Sequence, residues 1–553
     1  MKPLLVIPMT GISSRFTAAG YDRPKFLLEA EGQTVIDHVI DMYPGWDDVV
    51  FVCNALHLDD PALDLERRLR SRRPGAVIVR MEQAGLGPGD AVLSAREHID
   101  LDRPVVVNYC DFTCYWDADH LAARLASGEV DGVIPCYTGY HPHMVHSTSY
   151  AYVKLDDGGL VADIQEKQPW TDTPENEYAS SGTYAFAHGR ILLDSLDRQV
   201  EQGLLLKGEY YLSLTYKPLL EAGGRVEVMA LQHFMQWGTP QDFEEYLELS
   251  RAIASWTERE AGPSAARTSA SRVVLASGAG ARFARAGYDL PKPALPLGDK
   301  TVLEHATVAI PGHETVVVTR EDLPSGHIVR DVAKRLDAAM VTLPGLSEGQ
   351  AASARAGLTG LEHDGPVTIG ACDALPSITG AAFDAALDLA GPDGIVVWLA
   401  LPYRAADRSP EQYGWAAVDD SGLIDDVWLK RRPDRPSGVV IGTFSFGSRD
   451  TAIRLIDELM ADGERVNGEF YLDSLIPRAL REGRRVVALL TTAFASVGTP
   501  SEYEAVRYWQ SCFHKWANHS YSLAADVMVE PTSRRDLDHS FRVFDPWPVE
   551  VSR

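Results

Sequence analysis

The sequence lacks paired cysteines, long apolar runs and any excess of positive charge. Its six cysteines form no CxxC pair and most lie in apolar, strand-like runs, so we predict reduced core thiols. No apolar run approaches the roughly 18 residues that a membrane helix needs. The N-terminus has neither the length nor the small-residue cleavage site of a signal peptide. We therefore expect a cytoplasmic protein that binds no membrane.

The acidic balance of the chain constrains its partners. Asp and Glu number 78 against 52 Lys and Arg, which gives a formal net charge of −26. This charge repels nucleic acid, so we expect no nucleic-acid partner and only locally placed cations around any polyanionic ligand. At 553 residues the chain is also too long for one core, and we expect two or more domains.

One stretch near the N-terminus occurs twice. Residues 4–25 read LLVIPMTGISSRFTAAGYDRPK, and residues 273–292 read VVLASGAGARFARAGYDLPK. In each copy an apolar run predicts a buried strand, and the small residues after it predict a loop whose backbone N–H groups approach an anion closely. Two cations follow in each copy, with 267 residues between counterparts: Arg15 and Lys25, then Arg282 and Lys292. The pattern indicates polyphosphate binding.

Other segments repeat in the same order. PVVVNYCD and GPVTIGACD are apolar strands that end in Asp111 and Asp373, at the strand end where α/β sheets bind ligands. A helix N-cap is the alternative role for either aspartate. The remaining matched segments are 83–90 with 347–353, 181–186 with 441–446, 208–211 with 468–471, and 237–242 with 497–502.

Together these motifs resemble the sugar-phosphate nucleotidyltransferases, in particular the bacterial branch found with capsule and surface-polysaccharide genes. That signature runs strand, G-x-G-[ST]-R, short helix and P-K-P. The second copy has both glycines, the arginine and P-K-P, with Ala281 in place of the hydroxyl residue. In the first copy Ser13 replaces the second glycine and Phe26 the second proline. The missing glycine can be absorbed if the φ angles of the loop stay negative.

The resemblance implies a fold of two tandem three-layer α/β domains. Each would be a GT-A-like, Rossmann-related nucleotidyltransferase domain with a mostly parallel mixed sheet, the first at residues 1–250 and the second at 272–508. Residues 251–271 become small, polar and proline-containing, which predicts a linker. Residues 509–553 are too aromatic for disorder, and we expect this tail to pack on the second domain.

The resemblance also implies roles for individual residues. Catalytic cations would be Arg15, Lys25, Lys167, Arg282, Lys292 and Lys430. Nucleotide binding would involve Gly11, Ser13, Ser14, Gln83, Gly89, Gly278, Gly280, Gly349 and Gln350. Acceptor binding would involve Glu166, Gly182, Glu209, Gly442 and Glu469. The metal ligands, for the Mg²⁺ that bridges the nucleotide phosphates, would be Asp111 and Asp373.

Two departures from the resemblance affect these roles. Many relatives have a second metal-binding aspartate where this chain has Gln236 and Ser496, so either Mg²⁺ relies on one carboxylate with phosphates and waters or its affinity is reduced. In the second copy Leu429 replaces the acceptor-holding acid Glu166. We expect the first copy to perform sugar-phosphate transfer, and the second to take a different acceptor or to serve nucleotide binding and packing.

The predicted reaction transfers a nucleoside monophosphate from CTP, UTP or dTTP to a phosphorylated small molecule, for which we expect a sugar 1-phosphate, and releases pyrophosphate. A GT-A glycosyltransferase and a nucleotide-sensing module with one or both copies inactive are the alternatives. A glycosyltransferase would need a D-x-D motif, and the nearby Asp117-Ala118-Asp119 has the pattern of a helix start. No GxxxxGK[ST] motif is present, which excludes a P-loop NTPase.

Two further points stay open in the sequence. His141, His143 and His146 have a spacing that suits a zinc site, but the second copy has no histidine at 404–412, which favours a loop without metal. The assembly could be a homodimer or an intrachain pseudo-dimer of the two copies.

Overall fold

The computed structural model describes residues 2–82, 85–145, 147–258 and 270–541. Their contacts divide them into two compact units, which we call the N-terminal unit (2–243) and the C-terminal unit (244–540). No helix among the described residues is long and apolar enough to cross a membrane. Four sequence features lie outside the described residues: Gln83, His146, most of the predicted linker and the end of the aromatic tail.

Short strands and helices alternate through the N-terminal unit. Its strands are β1 (Leu4–Met9), β2 (Glu29–Ala30), β3 (Gln33–Thr34), β4 (Val49–Asn54), β5 (Val77–Met81), β6 (Val105–Asn108), β7 (Phe112–Tyr115), β8 (Gly132–Tyr137), β9 (Ala151–Leu155), β10 (Val161–Glu166), β11 (Tyr178–Ser180), β12 (Thr183–Phe186), β13 (Val226–Ala230) and β14 (Gln232–Gln236). Its helices are α1 (Ser14–Ala18), α2 (Val35–Asp41), α3 (Ala55–Asp59), α4 (Leu65–Arg72), α5 (Pro88–Ser94), α6 (Ala118–Ala126), α7 (Gly189–Glu201) and α8 (Tyr216–Glu221).

The main sheet of the N-terminal unit has the strand order β10-β9-β11-β8-β12-β6-β1-β4-β5, and β13 also pairs with β8. Strands β6, β1, β4 and β5 are parallel, whereas β12 runs antiparallel to both β6 and β8. The carboxyl ends of the parallel strands therefore lie at one edge, where the predicted phosphate loop and Asp111 both follow a strand.

Side-chain alternation along β1 shows why helices cover both faces of this sheet. Leu5 and Ile7 belong to a core that includes residues of α2, α4 and α6. Leu4 and Val6 point the other way, into a core that includes residues of α5, α7 and α8. An apolar strand buried on both faces is typical of parallel sheets in α/β proteins, and it produces three layers.

The C-terminal unit follows α9 (Pro240–Ala254), the helix within which the division falls. Its strands are β15 (Ser271–Leu275), β16 (Pro296–Leu297), β17 (Lys300–Thr301), β18 (Glu314–Arg320), β19 (Ala339–Leu343), β20 (Val367–Ala371), β21 (Ala374–Ser377), β22 (Ile395–Ala400), β23 (Gly414–Val418), β24 (Ile424–Leu429), β25 (Gly438–Phe446), β26 (Val486–Leu490) and β27 (Ala493–Ser496). The later helices are α10 (Ala281–Arg285), α11 (Val302–Val308), α12 (Gly326–Arg335), α13 (Gln350–Leu358), α14 (Gly380–Ala390), α15 (Arg449–Asp462), α16 (Leu475–Arg481), α17 (Pro500–Lys515) and α18 (Arg534–Phe541).

The two units repeat one topology. The main sheet of the C-terminal unit has the order β19-β18-β15-β20-β25-β22-β26, and its counterpart in the N-terminal unit is β5-β4-β1-β6-β12-β8-β13. Each strand occupies the same place in the chain order of its copy, so the sequence repeat is also a repeat of the fold. The prediction of tandem α/β domains with parallel-rich mixed sheets is confirmed.

The segments around the second copy have more regular structure than the sequence predicted. Helix α9 continues to Ala254, a 3₁₀ turn covers Ser255–Thr257, and Trp256 is fully buried, so the predicted linker begins as helix. Helix α17 runs through the predicted boundary at residue 508 and buries Trp509. The ring of Tyr246, on α9, lies 5.2 Å from that of Trp509. The exact domain boundaries stay a prediction.

The six cysteines are all buried and none is in a disulfide, as predicted for core thiols. Burial raises the pKa of Cys53, Cys110 and Cys372 to about 12, which keeps these thiols protonated at neutral pH.

Candidate active site

The phosphate-loop candidate joins β1 to α1 and keeps the same backbone shape in both copies. Gly280, before α10, has a φ of 64° in the left-handed region that suits glycine. Its counterpart Ser13 also has a positive φ, 55°. The condition of negative φ angles is therefore not met at Ser13, and the serine adopts the left-handed conformation itself. Its Oγ accepts a hydrogen bond from the backbone N–H of Lys25 at 3.0 Å, which links the loop to the second cation.

A lysine–aspartate ion pair lies beside this loop in both units. Lys25 Nζ donates to Asp111 Oδ2 at 2.6 Å, and both side chains are largely buried, with 23% and 19% exposed. Lys292 and Asp373 form the same pair. Burial lowers the pKa of each lysine, but the facing carboxylate outweighs burial and raises it overall. The predicted metal ligand and the predicted catalytic lysine are thus direct partners, which the sequence did not indicate.

The arginines of the two copies are exposed, as phosphate-binding side chains at a loop can be. Burial is the main cause of the lowered pKa of Lys167, and the charge of Arg15 contributes to it. Burial is also the largest influence that lowers the pKa of Lys25, and the charge of Arg15 acts in the same direction, so Arg15 influences both lysines of the N-terminal unit. In the C-terminal unit Arg282 Nη1 donates to Gln412 Oε1 at 3.2 Å.

The two positions where relatives have a second metal-binding aspartate lie beside the aspartates of this chain. A Cβ placed on Gly238 would lie 2.7 Å from Asp111 Oδ2 and 3.1 Å from Gln236 Nε2, so these groups share one small space. A Cβ placed on Gly498 would lie 3.2 Å from Asp373 Oδ2 and 3.3 Å from Ser496 Oγ. The C-terminal pair offers a carboxylate with a hydroxyl oxygen, a set that suits Mg²⁺ when phosphates and waters complete its shell. Gln236 turns its amide nitrogen toward the corresponding space, so its carbonyl oxygen would bind Mg²⁺ only once the amide is rotated.

The acceptor side of the N-terminal unit is built where β10 ends. Ser213 Oγ donates to Glu166 Oε2 at 2.6 Å, and burial raises the pKa of this carboxyl group. Lys167 follows with a φ of 60°, a left-handed conformation that turns its side chain onto Tyr211. Its Nζ lies 4.1 Å from the Tyr211 ring centroid and also donates to the hydroxyl. The tyrosine that positions this lysine was not predicted.

The acceptor side of the C-terminal unit repeats the lysine but not the acid. Lys430 has a φ of 58°, and its Nζ lies 5.2 Å from the Tyr471 ring centroid. It donates to the carbonyl oxygen of Gln412 at 2.7 Å. Leu429, which ends β24, occupies the position of Glu166. Both units therefore turn a lysine toward a tyrosine, with different chemistry beside it.

A cavity of about 270 Å³ opens beside the loop of the C-terminal unit. The predicted site residues that line it are Gly278, Gly280, Lys292, Gly349, Gln350, Asp373 and Glu469. Arg282, Lys430 and Gly442 are not among its lining residues. Arg320, Leu346 and Tyr288 also line it and were missed, because a single arginine, leucine or tyrosine in a loop gives no motif.

Several predicted site glycines have packing contacts. A Cβ on Gly89 would lie 2.9 Å from the carbonyl oxygen of Tyr210, to which the Gly89 N–H already donates at 2.8 Å. A Cβ added to Gly349 would likewise lie 2.6 Å from backbone atoms of Phe470. Gly182 has a φ of 95°, and a Cβ added to it would lie 2.9 Å from the ring of Tyr109. These glycines seat the helix-opening loops and the central strand closely against their neighbours.

The residues behind the alternative readings have structural roles. The carboxylate of Asp117 accepts from the backbone N–H of His120 at 2.9 Å and caps α6, as the sequence predicted, while Asp119 pairs with Lys2 at the surface. His143 is buried, with its Nε2 2.9 Å from the hydroxyl of Tyr137. Among the described residues, neither a D-x-D metal motif nor a histidine-rich zinc site forms at these positions.

The sheet order, the cation cluster and the strand-end aspartates are features of a nucleotidyltransferase scaffold. Comparison with known families gives the same class: the MobA-like NTP transferase domain matches residues 5–158 and 272–413, more than half of the chain. The protein therefore belongs to this family, with one match in each unit.

Individual relatives match single parts of the chain. The bifunctional protein GlmU of Alkaliphilus metalliredigens is 24% identical over 42% of this chain and 48% of its own length. A 2-C-methyl-D-erythritol 4-phosphate cytidylyltransferase of Vibrio vulnificus is 30% identical over 23% of this chain and 54% of its own. The chain thus spans about half the length of these relatives.

Two solved structures are similar over one copy. A nucleoside-diphosphate-sugar pyrophosphorylase from Vibrio cholerae is 22% identical over 44% of this chain and 99% of its own, with a TM-score of 0.38. An inositol-1-phosphate CTP transferase from T. maritima is 16% identical over 44% and 97%, with a TM-score of 0.35.

The strained serine gives a stability prediction. In Ser13→Ala the left-handed conformation remains but the bond to Lys25 is lost, so we expect a loss of about 1 kcal/mol. In Ser13→Gly the bond is lost as well, but relief of about 1 kcal/mol of strain offsets it. Thermal melting should therefore rank wild type and Ser13→Gly above Ser13→Ala. A glycine variant less stable than the alanine variant would contradict the positive φ.

The ion pair of the C-terminal unit gives a pH prediction. Burial raises the pKa of Asp373, but Lys292 outweighs burial and lowers it below its ordinary value. A lowered carboxyl pKa stabilises the folded state above the unfolded-state pKa, about 3.9, and this contribution is lost as pH falls through the folded-state pKa. The difference in calorimetric melting temperature between wild type and Asp373→Asn should be constant from about pH 5 to 9 and shrink below about pH 4. A difference that widens on acidification would contradict it.

Proposed function

We propose that this protein transfers a nucleoside monophosphate from an NTP to a phosphorylated small molecule, most simply a sugar 1-phosphate, and releases pyrophosphate. The observation that supports the proposal is the ion pair of Lys25 with the strand-end Asp111, linked to a small-residue loop through Ser13, with the charge of Arg15 acting on both Lys25 and Lys167. A chain with a net charge of −26 has no other general attraction for two polyanionic substrates. Membership of the NTP transferase family supports the same reaction.

In the proposed reaction an acceptor phosphate oxygen attacks the α-phosphorus, the bond from that phosphorus to the bridging oxygen breaks, and pyrophosphate leaves with the bond electrons. The protein contributes positioning and charge neutralisation. Arg15 binds the leaving pyrophosphate, Lys25 the α-phosphate region and Lys167 the acceptor phosphate. Glu166 accepts hydrogen bonds from acceptor hydroxyl groups. Arg282, Lys292 and Lys430 take the corresponding roles in the second copy.

Asp111 with Gln236, and Asp373 with Ser496, are the groups that would hold Mg²⁺ together with the nucleotide phosphates. The ion would supply neutralisation of phosphate charge. Within the chain itself, Lys25 pairs with Asp111 and fixes its position by the 2.6 Å contact. We place the nucleotide preference among CTP, UTP and dTTP, and the pathway in nucleotide-sugar and surface-polysaccharide synthesis.

The test of the function is pyrophosphate release with the four NTPs crossed against phosphorylated acceptors. Sugar 1-phosphates, phosphocholine and small phosphonates cover the acceptor classes. Release with no combination would overturn the proposal. Transfer of sugar from a nucleotide sugar would instead establish the glycosyltransferase alternative, and nucleotide binding without turnover the sensor alternative.

The cation cluster gives a kinetic prediction. Lys25→Met should reduce pyrophosphate release by the N-terminal copy about 100- to 1000-fold, because a preorganised charge at the α-phosphate is removed. The matched control is Lys2→Met, which breaks a surface pair with Asp119 in the same unit and should leave activity unchanged. Equal activity of Lys25→Met and wild type, with normal melting curves, would refute the role of Lys25.

Separate inactivation of each copy tests their division of labour. We expect Asp111→Asn to abolish transfer to sugar 1-phosphates, because the first copy retains the loop, both cations and Glu166. Asp373→Asn should leave that activity unchanged and affect only other acceptors. If Asp373→Asn alone removed all activity, the two copies would have the opposite roles.

A further inference from the structure

The acid missing from the second acceptor pocket has a replacement nearby. In the N-terminal unit Glu166 and Ser213 are hydrogen-bonded neighbours, 2.6 Å apart. In the C-terminal unit the same two positions hold Leu429 and Asp473. The carboxylate and its small neighbour have therefore exchanged places, from the end of a strand to the turn that precedes α16. If the two copies are compared one position at a time, the replacement of Glu166 by Leu429 is seen only as the loss of an acid.

A third position changes with the other two. Ala151 lies opposite Glu166 in the antiparallel pairing of β9 with β10, and Gly414 lies opposite Leu429 in β23 and β24. A Cβ on Gly414 would lie 2.8 Å from Asp473 Oδ2. The glycine thus provides the space in which the relocated carboxylate sits, beneath the strand end. Three linked differences indicate a rebuilt pocket rather than a decayed one.

The environment of Asp473 is that of a ligand-binding group. Only 9% of the residue is exposed, and no side chain in the described part of the chain hydrogen-bonds to its carboxylate. Burial raises its pKa, and the charge of Lys430 offsets part of that rise. The backbone N–H of Asp473 donates to this carboxylate, which leaves its remaining acceptor positions for a donor on a bound molecule.

We propose that Asp473 determines acceptor specificity in the C-terminal copy, by accepting a hydrogen bond from a hydroxyl or ammonium group of a phosphorylated acceptor. The inference rests on the proposed function, in which Lys430 binds the acceptor phosphate. A carboxylate repels that phosphate, so it must face the uncharged or cationic part of the molecule. Leu429 presents an apolar wall where the N-terminal copy presents Glu166, so the two copies take acceptors of different shape.

Equilibrium binding tests this without requiring turnover. In the full-length chain, Lys167→Ala weakens the N-terminal acceptor pocket, and titration calorimetry then measures binding of glucose 1-phosphate, phosphoethanolamine and phosphocholine. The first offers hydroxyl groups, the second an ammonium group, and the quaternary nitrogen of the third has no N–H. We expect a donor-bearing probe to bind, and Asp473→Asn to weaken it about 10- to 100-fold. Asp420→Asn, on an exposed turn of the same unit, is the matched control and should change nothing.

A swap variant adds a positive readout. Leu429→Glu combined with Asp473→Ser recreates the N-terminal arrangement and should restore affinity with the probe preference of the N-terminal copy. Unchanged binding in Asp473→Asn, or no binding of either donor-bearing probe, would overturn the inference. Pyrophosphate release by the wild-type chain is measured separately. If the wild type releases pyrophosphate but Asp473→Asn does not change binding, only this inference is overturned. If no NTP gives release, the proposed function is overturned.

Discussion

The ion pair between a loop lysine and a strand-end aspartate is the constraint on which each site depends. Two largely buried charges are tolerable only as partners, because removal of either leaves the other uncompensated in a poorly hydrated space. To bring them together, the segment that follows the first short helix must return to the end of the neighbouring strand β6 or β20. The parallel pairing of these strands with β1 or β15 makes that possible. The ion pair therefore depends on the parallel strand pairing that brings the lysine and the aspartate together.

Much of this arrangement could be predicted from the sequence, since strand patterns, motif order and strand-end acids are local signals. The partnership of Lys25 with Asp111 could not, because the two residues are far apart in the chain and only the register of the sheet brings them within 2.6 Å. The positive φ of Ser13 was also missed. A serine in the sequence does not predict a left-handed backbone conformation, and the hydrogen bond from the Lys25 N–H to Ser13 Oγ is visible only in the structure.

The acid of the second copy shows a different limit of motif reasoning. A motif records which residue occupies a position, whereas a pocket requires a chemical group at a place in space. Asp473 and Glu166 come from different elements, but the counterpart of Asp473 in the first copy is Ser213, which is hydrogen-bonded to Glu166. The spacing between matched residues shows only which positions of the two copies correspond. The close approach of Gly414 to Asp473 shows which side chain fills the space beside the strand end.

The repeated strand order has a consequence for how such a gene can change. The distance between matched residues falls from 267 at the phosphate loop to 260 at the G-E-[FY]-Y segment, so the halves differ in length while their sheets keep one order. Two homologous halves in one reading frame can recombine with each other. A crossover within the shared central strands would join the loop of one half to the acceptor pocket of the other in a single event. Such an exchange would carry Gly414, Leu429 and Asp473 together, whereas point mutation would have to change the three positions separately.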